Sequence, residues 1–426
     1  MAVGSDSLGV LHPVTGFALG TVSAGIKKPG RKDLVLMALA EGSTVAAVFT
    51  RNAFCAAPVT VAKEHLQASG GQPRYLLVNT GNANAGTGAA GIQDALACSR
   101  SVAAAGNVPV ESVLPFSTGV IGESLPVSVL EAAIPAAFSA LSDDGWAEAA
   151  SGIMTTDTRP KACSKQLGGG DVNYTVTGIA KGAGMIRPNM ATMLAYVATD
   201  MAVDRDVLQQ MLGAVVDTTF NRITVDGDTS TNDACVLVAT GAAGNEVLAE
   251  TTSPLYAGLR DALEQVCLNL AQGLVRDGEG ATKFVTVQVN GGLREQECLD
   301  VAFTIAHSPL VKTALFASDP NWGRLLAAIG RADLQNLQVD KIDVYLNDVL
   351  IAREGCRAPA YTEEQGAAAM AAEDIEIRVE LNRGDSSAAV WTTISFAPPL
   401  RQTVTVTSGF CTACSSSRKE VTTCPS

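Results

Sequence analysis

Histidine is nearly missing from this chain: His12, His65 and His307 are the only three in 426 residues. None stands in an H-E-x-x-H pattern or beside a cysteine pair at zinc spacing, so the common histidine metal sites have no sequence support. No G-x-S-x-G elbow occurs either, which leaves a Ser-His-Asp triad little to be built from. His12-Pro13 reads as a turn and His65 as the decoration of a helix end. All three are therefore assigned structural or surface roles. Aromatics make up only 5%, so the interior must be packed from small residues. Positive charge is short, with 30 Lys and Arg against 43 Asp and Glu and a formal net charge of −13. With no basic run to offset it, that balance excludes nucleic acid as an expected partner. No stretch approaches the ~20 apolar residues that span a bilayer. The first residues lack the basic and apolar regions of a secretory signal. A soluble, cytoplasmic protein with no membrane partner is expected.

The rarer signals also exclude more than they offer. Seven of the ten cysteines (Cys55, Cys98, Cys163, Cys235, Cys267, Cys298, Cys356) are scattered singly, as buried small hydrophobes in a reducing compartment would be. Cys411, Cys414 and Cys424 crowd into the tail, and Cys411-Thr-Ala-Cys414 has no second pair to complete a zinc site. Gly86–Gly91 and Gly168–Gly170 lack the phosphate-loop and dinucleotide spacings and read as turns. Asp226, Asp228 and Asp233 do not have calcium-loop spacing and read as a hydrogen-bonded turn. No metal and no cofactor is expected.

What is present is 47% hydrophobic residues and only 17% charged, enough for a sizeable core. At roughly 150 residues per domain the length allows two or three units. Apolar β-rich runs fall at Leu34–Ala40, Thr44–Phe49, Pro58–Ala62 and Tyr75–Asn79. Helical patterns follow at Gly88–Ala105 and Val127–Leu141. Val172–Ile179, Met193–Ala198, Phe284–Val289, Ile342–Leu346, Ile375–Leu381 and Ala388–Ile394 read as strands. Val207–Thr219 and Leu255–Leu274 read as helices. Strands and helices alternate without a regular βαβ period, which predicts a layered α/β or α+β architecture. An internal boundary is expected near 180–192. The Ser-, Thr- and Cys-rich segment 397–426 has no amphipathic period and is expected to be poorly ordered.

One segment concentrates unusual features: Lys181-Gly-Ala-Gly-Met-Ile-Arg-Pro-Asn-Met-Ala-Thr192-Met-Leu. Its glycines and Pro188 define a sharp path into an apolar strand. Ala191-Thr192 suits attack of the threonine hydroxyl on the preceding carbonyl. An N-to-O acyl shift and hydrolysis would free Thr192 as a new N-terminus. Its α-amine, with a pKa of about 8, could then act as base for its own hydroxyl. Acyl transfer would then need no histidine. By spacing alone, a threonine at a strand start reads first as a β-former, and the nucleophile is the minority reading.

The same segment closely resembles the processing motif of the ornithine acetyltransferase (glutamate N-acetyltransferase) family of arginine biosynthesis. Further stretches resemble that family in order: Gly25-Ile-Lys-Lys-Pro-Gly-Arg-Lys-Asp33, Val48-Phe-Thr-Arg-Asn52, Asn79-Thr-Gly-Asn-Ala-Asn-Ala85, Met154-Thr-Thr-Asp-Thr-Arg-Pro-Lys161, Asp226-Gly-Asp-Thr-Ser-Thr-Asn-Asp233, Ser318-Asp-Pro-Asn-Trp-Gly-Arg324 and Leu381-Asn-Arg-Gly384. The likeness spans roughly residues 8–395. It implies sheets sandwiched by helices, in the N-terminal-nucleophile architecture of ornithine acetyltransferases and DmpA-type enzymes. It also implies self-cleavage between Ala191 and Thr192 into an α chain, 1–191, and a β chain, 192–426, assembled as an α2β2 heterotetramer.

Residue by residue, the resemblance makes Thr192 the nucleophile and Thr118 and Gly119 the oxyanion hole. It makes Thr158, Lys181 and Glu279 substrate contacts. The implied reaction is ping-pong transfer of acetyl from N2-acetylornithine to glutamate, and some members also accept acetyl-CoA. By charge, Lys181 suits a substrate carboxylate and Glu279 the ornithine δ-ammonium. The family's C-terminal substrate contacts find no match after Ser395, so none is carried over. Two other readings keep the same residues. One is an N-terminal-nucleophile amidohydrolase or aminopeptidase. The other is a catalytically silent binding protein.

Overall fold

The apolar runs of the first half pair into two sheets that face each other. The computed structural model describes residues 2–4, 8–169, 172–187 and 193–395. In chain order the first half contains β1 (Phe17–Val22), β2 (Leu34–Leu39), β3 (Thr44–Phe49), α1 (Ala57–Ala68), β4 (Tyr75–Asn82), α2 (Gly88–Gly106), β5 (Val113–Val120), α3 (Val127–Ser139), α4 (Trp146–Gly152), β6 (Lys161–Gly169) and β7 (Val172–Lys181). Then come β8 (Leu194–Thr199), α5 (Arg205–Thr218), β9 (Ile223–Thr224), β10 (Ala234–Ala239), α6 (Pro254–Arg276) and β11 (Ala281–Gly292). The remainder is α7 (Glu295–Ala306), α8 (Pro309–Phe316), α9 (Trp322–Gly330), β12 (Asp343–Leu346), β13 (Val349–Arg353), β14 (Cys356–Arg357), α10 (Glu363–Met370), β15 (Asp374–Glu380) and β16 (Ser386–Ser395). The tail singled out at 397–426, and the pair Ala191-Thr192, lie outside the described residues.

Among the described residues the strands form three sheets, ordered β1-β2-β4-β5, β3-β10-β8-β7-β6 and β14-β13-β12-β15-β11-β16-β9. The first two are stacked. Phe17, Met37, Val78 and Phe116 of the first share one core with Ile179, Tyr196 and Val236 of the second. The outer face of the first sheet packs Leu36, Leu77 and Val113 against Val102 of α2 and Ile134 of α3. The outer face of the second packs Val176, Val197 and Leu237 against Met211 of α5 and Leu263 of α6. The result is helix, sheet, sheet, helix, the layered sandwich expected from the motifs. β8 shows why: all six of its residues are buried, because one alternate set faces each core. β10 is likewise buried on both faces, and such continuous apolar runs carry no alternation to read. The third sheet and α7–α9 build a separate core around Val287, Val301 and Ile377.

Two expectations change. Pro58–Ala62, read as β, lies inside α1. Its valines suggested a strand, but proline in the first helical turn starts a helix well, and Val59, Val61, Ala62, His65 and Leu66 bury one face of it. His65 does sit in the last turn of α1, yet it is buried rather than decorative, with Nδ1 2.7 Å from the Val113 carbonyl. The span 180–192 begins in the last two residues of β7 and precedes β8, and these two strands are adjacent and antiparallel with Lys181 opposite Leu194.

Parallel crossovers aim the strand ends. α2 connects β4 to parallel β5, and α5 lies on the path from β8 to parallel β10. The polar motifs at these strand ends are gathered at one edge of the stacked sheets. α6 is the main outer support. Ser253 caps it by accepting from the Leu255 amide 3.2 Å away, and Leu259, Leu263, Val266 and Leu270 repeat at helical spacing on its buried face. Leu263→Ala should cost about 2–5 kcal/mol through lost burial and a cavity, read as a lowered Tm in calorimetry with secondary structure retained.

Candidate active site

Thr118 and Gly119 end β5, beside the end of β4. Gly119 has φ +137°, and a Cβ there would lie 2.2 Å from the Gly81 carbonyl carbon. Only glycine fits so close to the neighbouring strand. The motif 79–85 braces this edge with amide side chains. Asn79 Nδ2 donates to the Asn82 carbonyl at 2.9 Å and its Oδ1 accepts from Ser117 at 2.6 Å. Asn232 Nδ2 donates to the carbonyls of Ala83 (2.6 Å) and Ser117 (2.8 Å), tying the 226–233 motif to the same place. The end of β5 is thus held in place by amide side chains from two separate motifs.

Lys181, the last residue of β7, reaches this edge. Its Nζ donates to Thr118 Oγ1 at 3.0 Å. An ammonium can only donate, so the Thr118 hydroxyl accepts there and keeps its own proton to donate elsewhere. Burial pulls the Lys181 ammonium below its ordinary pKa, while the carboxylates of Asp157, Asp233 and Glu279 resist that. Three acids thus hold a half-buried cation at this edge.

The cluster behind Lys181 is the strongest polar structure in the site. Lys161 Nζ lies 2.6 Å from Asp157 Oδ1 and 2.6 Å from Asp277 Oδ2. The Lys161 side chain is 4% exposed and both acids 0%. Asp277 also accepts from the Thr158 and Arg159 amides and from the Thr158 hydroxyl. Asp157 also accepts from the Gly182 amide at 2.7 Å and the Thr155 amide at 3.0 Å. Burial works to raise the Asp157 carboxyl, but the Lys161 and Lys181 charges outweigh it and bring it down to about 2. Thr158 is itself exposed, with its hydroxyl donating inward to Asp277.

Glu279 is exposed and lies against Gly184, where a Cβ would come within 2.9 Å of its carboxyl carbon. Its amide donates to the Ala183 carbonyl at 2.7 Å. The structure therefore brings Thr118, Gly119 and Lys181 into direct association, and it links Thr158 and Glu279 to them through Asp277, Asp157 and the 182–184 backbone. Ala191 and Thr192 are outside the described residues; the chain resumes at Met193, whose carbonyl accepts from the Ala234 amide at 3.0 Å.

Sequence reasoning missed Asp157, Lys161 and Asp277, although the first two stand inside the quoted 154–161 motif and Asp277 stands two residues before Glu279. The available signal was a lysine entering an alternating strand four residues after an acid. Asp233 was read as part of a turn. It is 3% exposed, burial pushes its carboxyl well up while a Ser230 hydrogen bond and the Lys181 charge hold it down, and its Oδ2 has no partner among the described residues. Asp226 does belong to a hydrogen-bonded turn, its Oδ1 accepting from the Asp228 amide at 3.0 Å.

Thr118, Gly119, Lys181 and Glu279 thus share one polar edge that carries a half-buried cation and an exposed acid. The chain belongs to the ArgJ family, whose model matches residues 18–394. It is 60% identical over 393 residues to the arginine biosynthesis bifunctional protein ArgJ of Pseudomonas syringae pv. tomato, covering 92% of this chain and 96% of that protein. A crystal structure of the Bacillus halodurans argJ protein matches 49% of this chain and 96% of its own at 39% identity, TM-score 0.46. The Mycobacterium tuberculosis ornithine acetyltransferase, solved with ornithine, matches 42% and 93% at 37% identity, TM-score 0.36. The family and the acetyltransferase class expected from the motifs hold. No helix among the described residues is long and apolar enough to cross a membrane.

Gly119→Ala would place a Cβ 2.2 Å from the Gly81 carbonyl carbon at a positive φ, so it should push the ends of β4 and β5 apart and lower the Tm, read by calorimetry. Lys161→Met leaves two buried carboxylates without their cation and should destabilise the fold by about 3–5 kcal/mol. The Asp157 pKa is depressed in the fold, so its stabilisation is present above about pH 4 and lost as pH falls through about 2. The Tm gap between wild type and Lys161→Met should therefore narrow across that window.

Proposed function

We propose that this chain transfers the acetyl group of N2-acetylornithine to glutamate through an acetyl-Thr192 intermediate, after cleaving itself between Ala191 and Thr192. The observation that supports this reading is the Lys181–Thr118 hydrogen bond beside Gly119, which leaves the Thr118 proton to be donated at the edge where β8 begins.

The freed Thr192 amine takes the proton of its own hydroxyl. The oxygen attacks the acetyl carbonyl, and the Thr118 hydroxyl and Gly119 amide receive the negative oxygen. The carbon–nitrogen bond breaks, and ornithine leaves with the proton returned to its amine. The α-amine of glutamate then attacks the Thr192 ester, and the hydroxyl is regenerated. Glu279 attracts the δ-ammonium of the donor, Lys181 a substrate carboxylate, and Thr158 offers acceptor lone pairs. One amide is exchanged for another, so no nucleotide energy is consumed. Acetyl-CoA is a second candidate donor that uses the same ester intermediate.

The α chain (1–191) and β chain (192–426) would remain associated, because β7 from one and β8 from the other are paired over six residue pairs. An α2β2 assembly in the cytoplasm completes the reading.

Denaturing mass spectrometry should show fragments 1–191 and 192–426, while native mass spectrometry keeps them together. Thr192→Ala should remain full length and lose acetyl transfer; a fully active, uncleaved Thr192→Ala protein sinks the proposal. Product formation should require glutamate, whereas release of free acetate without an acceptor would identify a hydrolase instead.

A further inference from the structure

We propose that Asp226 is a positioning residue for self-cleavage, holding the segment before the cut in a conformation that its own sequence would not keep. This rests on the reading that the chain is cut between Ala191 and Thr192.

The segment from Gly182 to Ile186 is intrinsically loose. It contains Gly182, with φ +148°, and Gly184. Met185 has φ +59°, a left-handed conformation that an unbranched bulky residue adopts at a cost. The residue is 39% exposed, so packing does little to compensate. The compensation comes from one carboxylate. Asp226 Oδ2 accepts from the Met185 amide at 2.5 Å, and its Oδ1 accepts from the Ile186 amide at 2.9 Å. Two consecutive amides are thus held by both oxygens of one side chain, each bond assisted by its negative charge. The Asp228 amide fixes the carboxylate in turn.

The same element grips the next carbonyl. Ile186 O accepts from the Val225 amide at 2.7 Å and from Thr224 Oγ1 at 3.1 Å, and the Ile186 side chain is fully buried. Upstream, Asp157 holds the Gly182 amide. The backbone is therefore tethered at both ends of the glycine-rich stretch, and at the end towards the cut Asp226 is the side chain that holds the strained Met185 and its neighbour. Only residues 187–190 separate Ile186 from Ala191.

The chemistry explains why a fixed path matters. In the acyl shift the Thr192 oxygen bonds to the Ala191 carbonyl carbon while the Ala191–Thr192 carbon–nitrogen bond breaks and the nitrogen gains a proton. Water then cleaves the ester, leaving a carboxylate on Ala191 and a free amine on Thr192. The first step needs the hydroxyl held on one face of the carbonyl, and loss of about 1 Å of positioning can cost ~10²-fold. Once the bond is cut, that constraint has done its work.

The test follows the full chain over time after purification by intact mass spectrometry, in parallel with Tm. Asp226→Ala should convert to fragments ~10–100-fold more slowly than wild type, with Tm nearly unchanged because Asp226 is exposed. Asp226→Asn keeps one acceptor oxygen and should recover part of the rate. Asp228→Ala keeps the main-chain amide that Asp226 accepts and should cleave at the wild-type rate. Cleavage of Asp226→Ala at the wild-type rate overturns this proposal alone. A wild-type chain that stays intact overturns it together with the reading on which it rests.

Discussion

The site depends on one buried ammonium. Lys161 sits between Asp157 and Asp277, and each carboxylate spends its remaining capacity on backbone that matters: Gly182 on one side, Thr158 and Arg159 on the other. Burying three charges is expensive, and such clusters are weak evidence of stability. What this one supplies is geometry. It joins the start of β6, the end of β7 and the turn after α6, three places far apart in sequence, so that Thr158, Lys181 and the Glu279 turn share a frame. An apolar trio of similar volume could fill the space but could not hold the amides of Thr155, Thr158, Arg159 and Gly182.

The sheets deliver the same residues to that frame. Antiparallel pairing of β7 with β8 brings Lys181 beside the start of β8, while the crossovers through α2 and α5 point β4 and β5, and then β8 and β10, in common directions. Thr118, at the end of β5, therefore meets Lys181, at the end of β7, across the interface between two sheets. The close contact of Gly119 with Gly81 is the local cost of ending two parallel strands at one level.

Much of this was legible beforehand. Alternation or apolar continuity located β2, β3, β7, β8 and β15, and periodicity located α2, α3, α5 and α6, because each has one face or both against a core. Local pattern failed at Pro58–Ala62, where a helix start outweighed β-branched residues, and it passed over β10, whose double burial removes alternation. For the site, ordered motifs pointed to Thr118, Gly119, Thr158, Lys181 and Glu279, and the structure places these around one edge. The buried partners Asp157, Lys161, Asp277 and Asp233 were not legible as such. A charge in sequence does not say whether it will be solvated, and only the fold reveals which acid meets which base. The role of Asp226 was half legible: the turn was, but not the amides of Met185 and Ile186, which reach it from 40 residues away.

The pairing of β7 with β8 has a kinetic consequence. The proposed cut between them would leave one five-stranded sheet with β3, β6 and β7 on one polypeptide and β8 and β10 on the other. Neither piece could complete that sheet alone, so the intact chain would have to fold before being severed. Afterwards the tether that kept β8 near β7 at high effective concentration would be gone. Unfolding would then become a dissociation, and recovery a second-order encounter whose rate depends on how much protein is present. Maturation of this kind would make assembly a one-time event, with the native state preserved afterwards by slow escape and not by ready return.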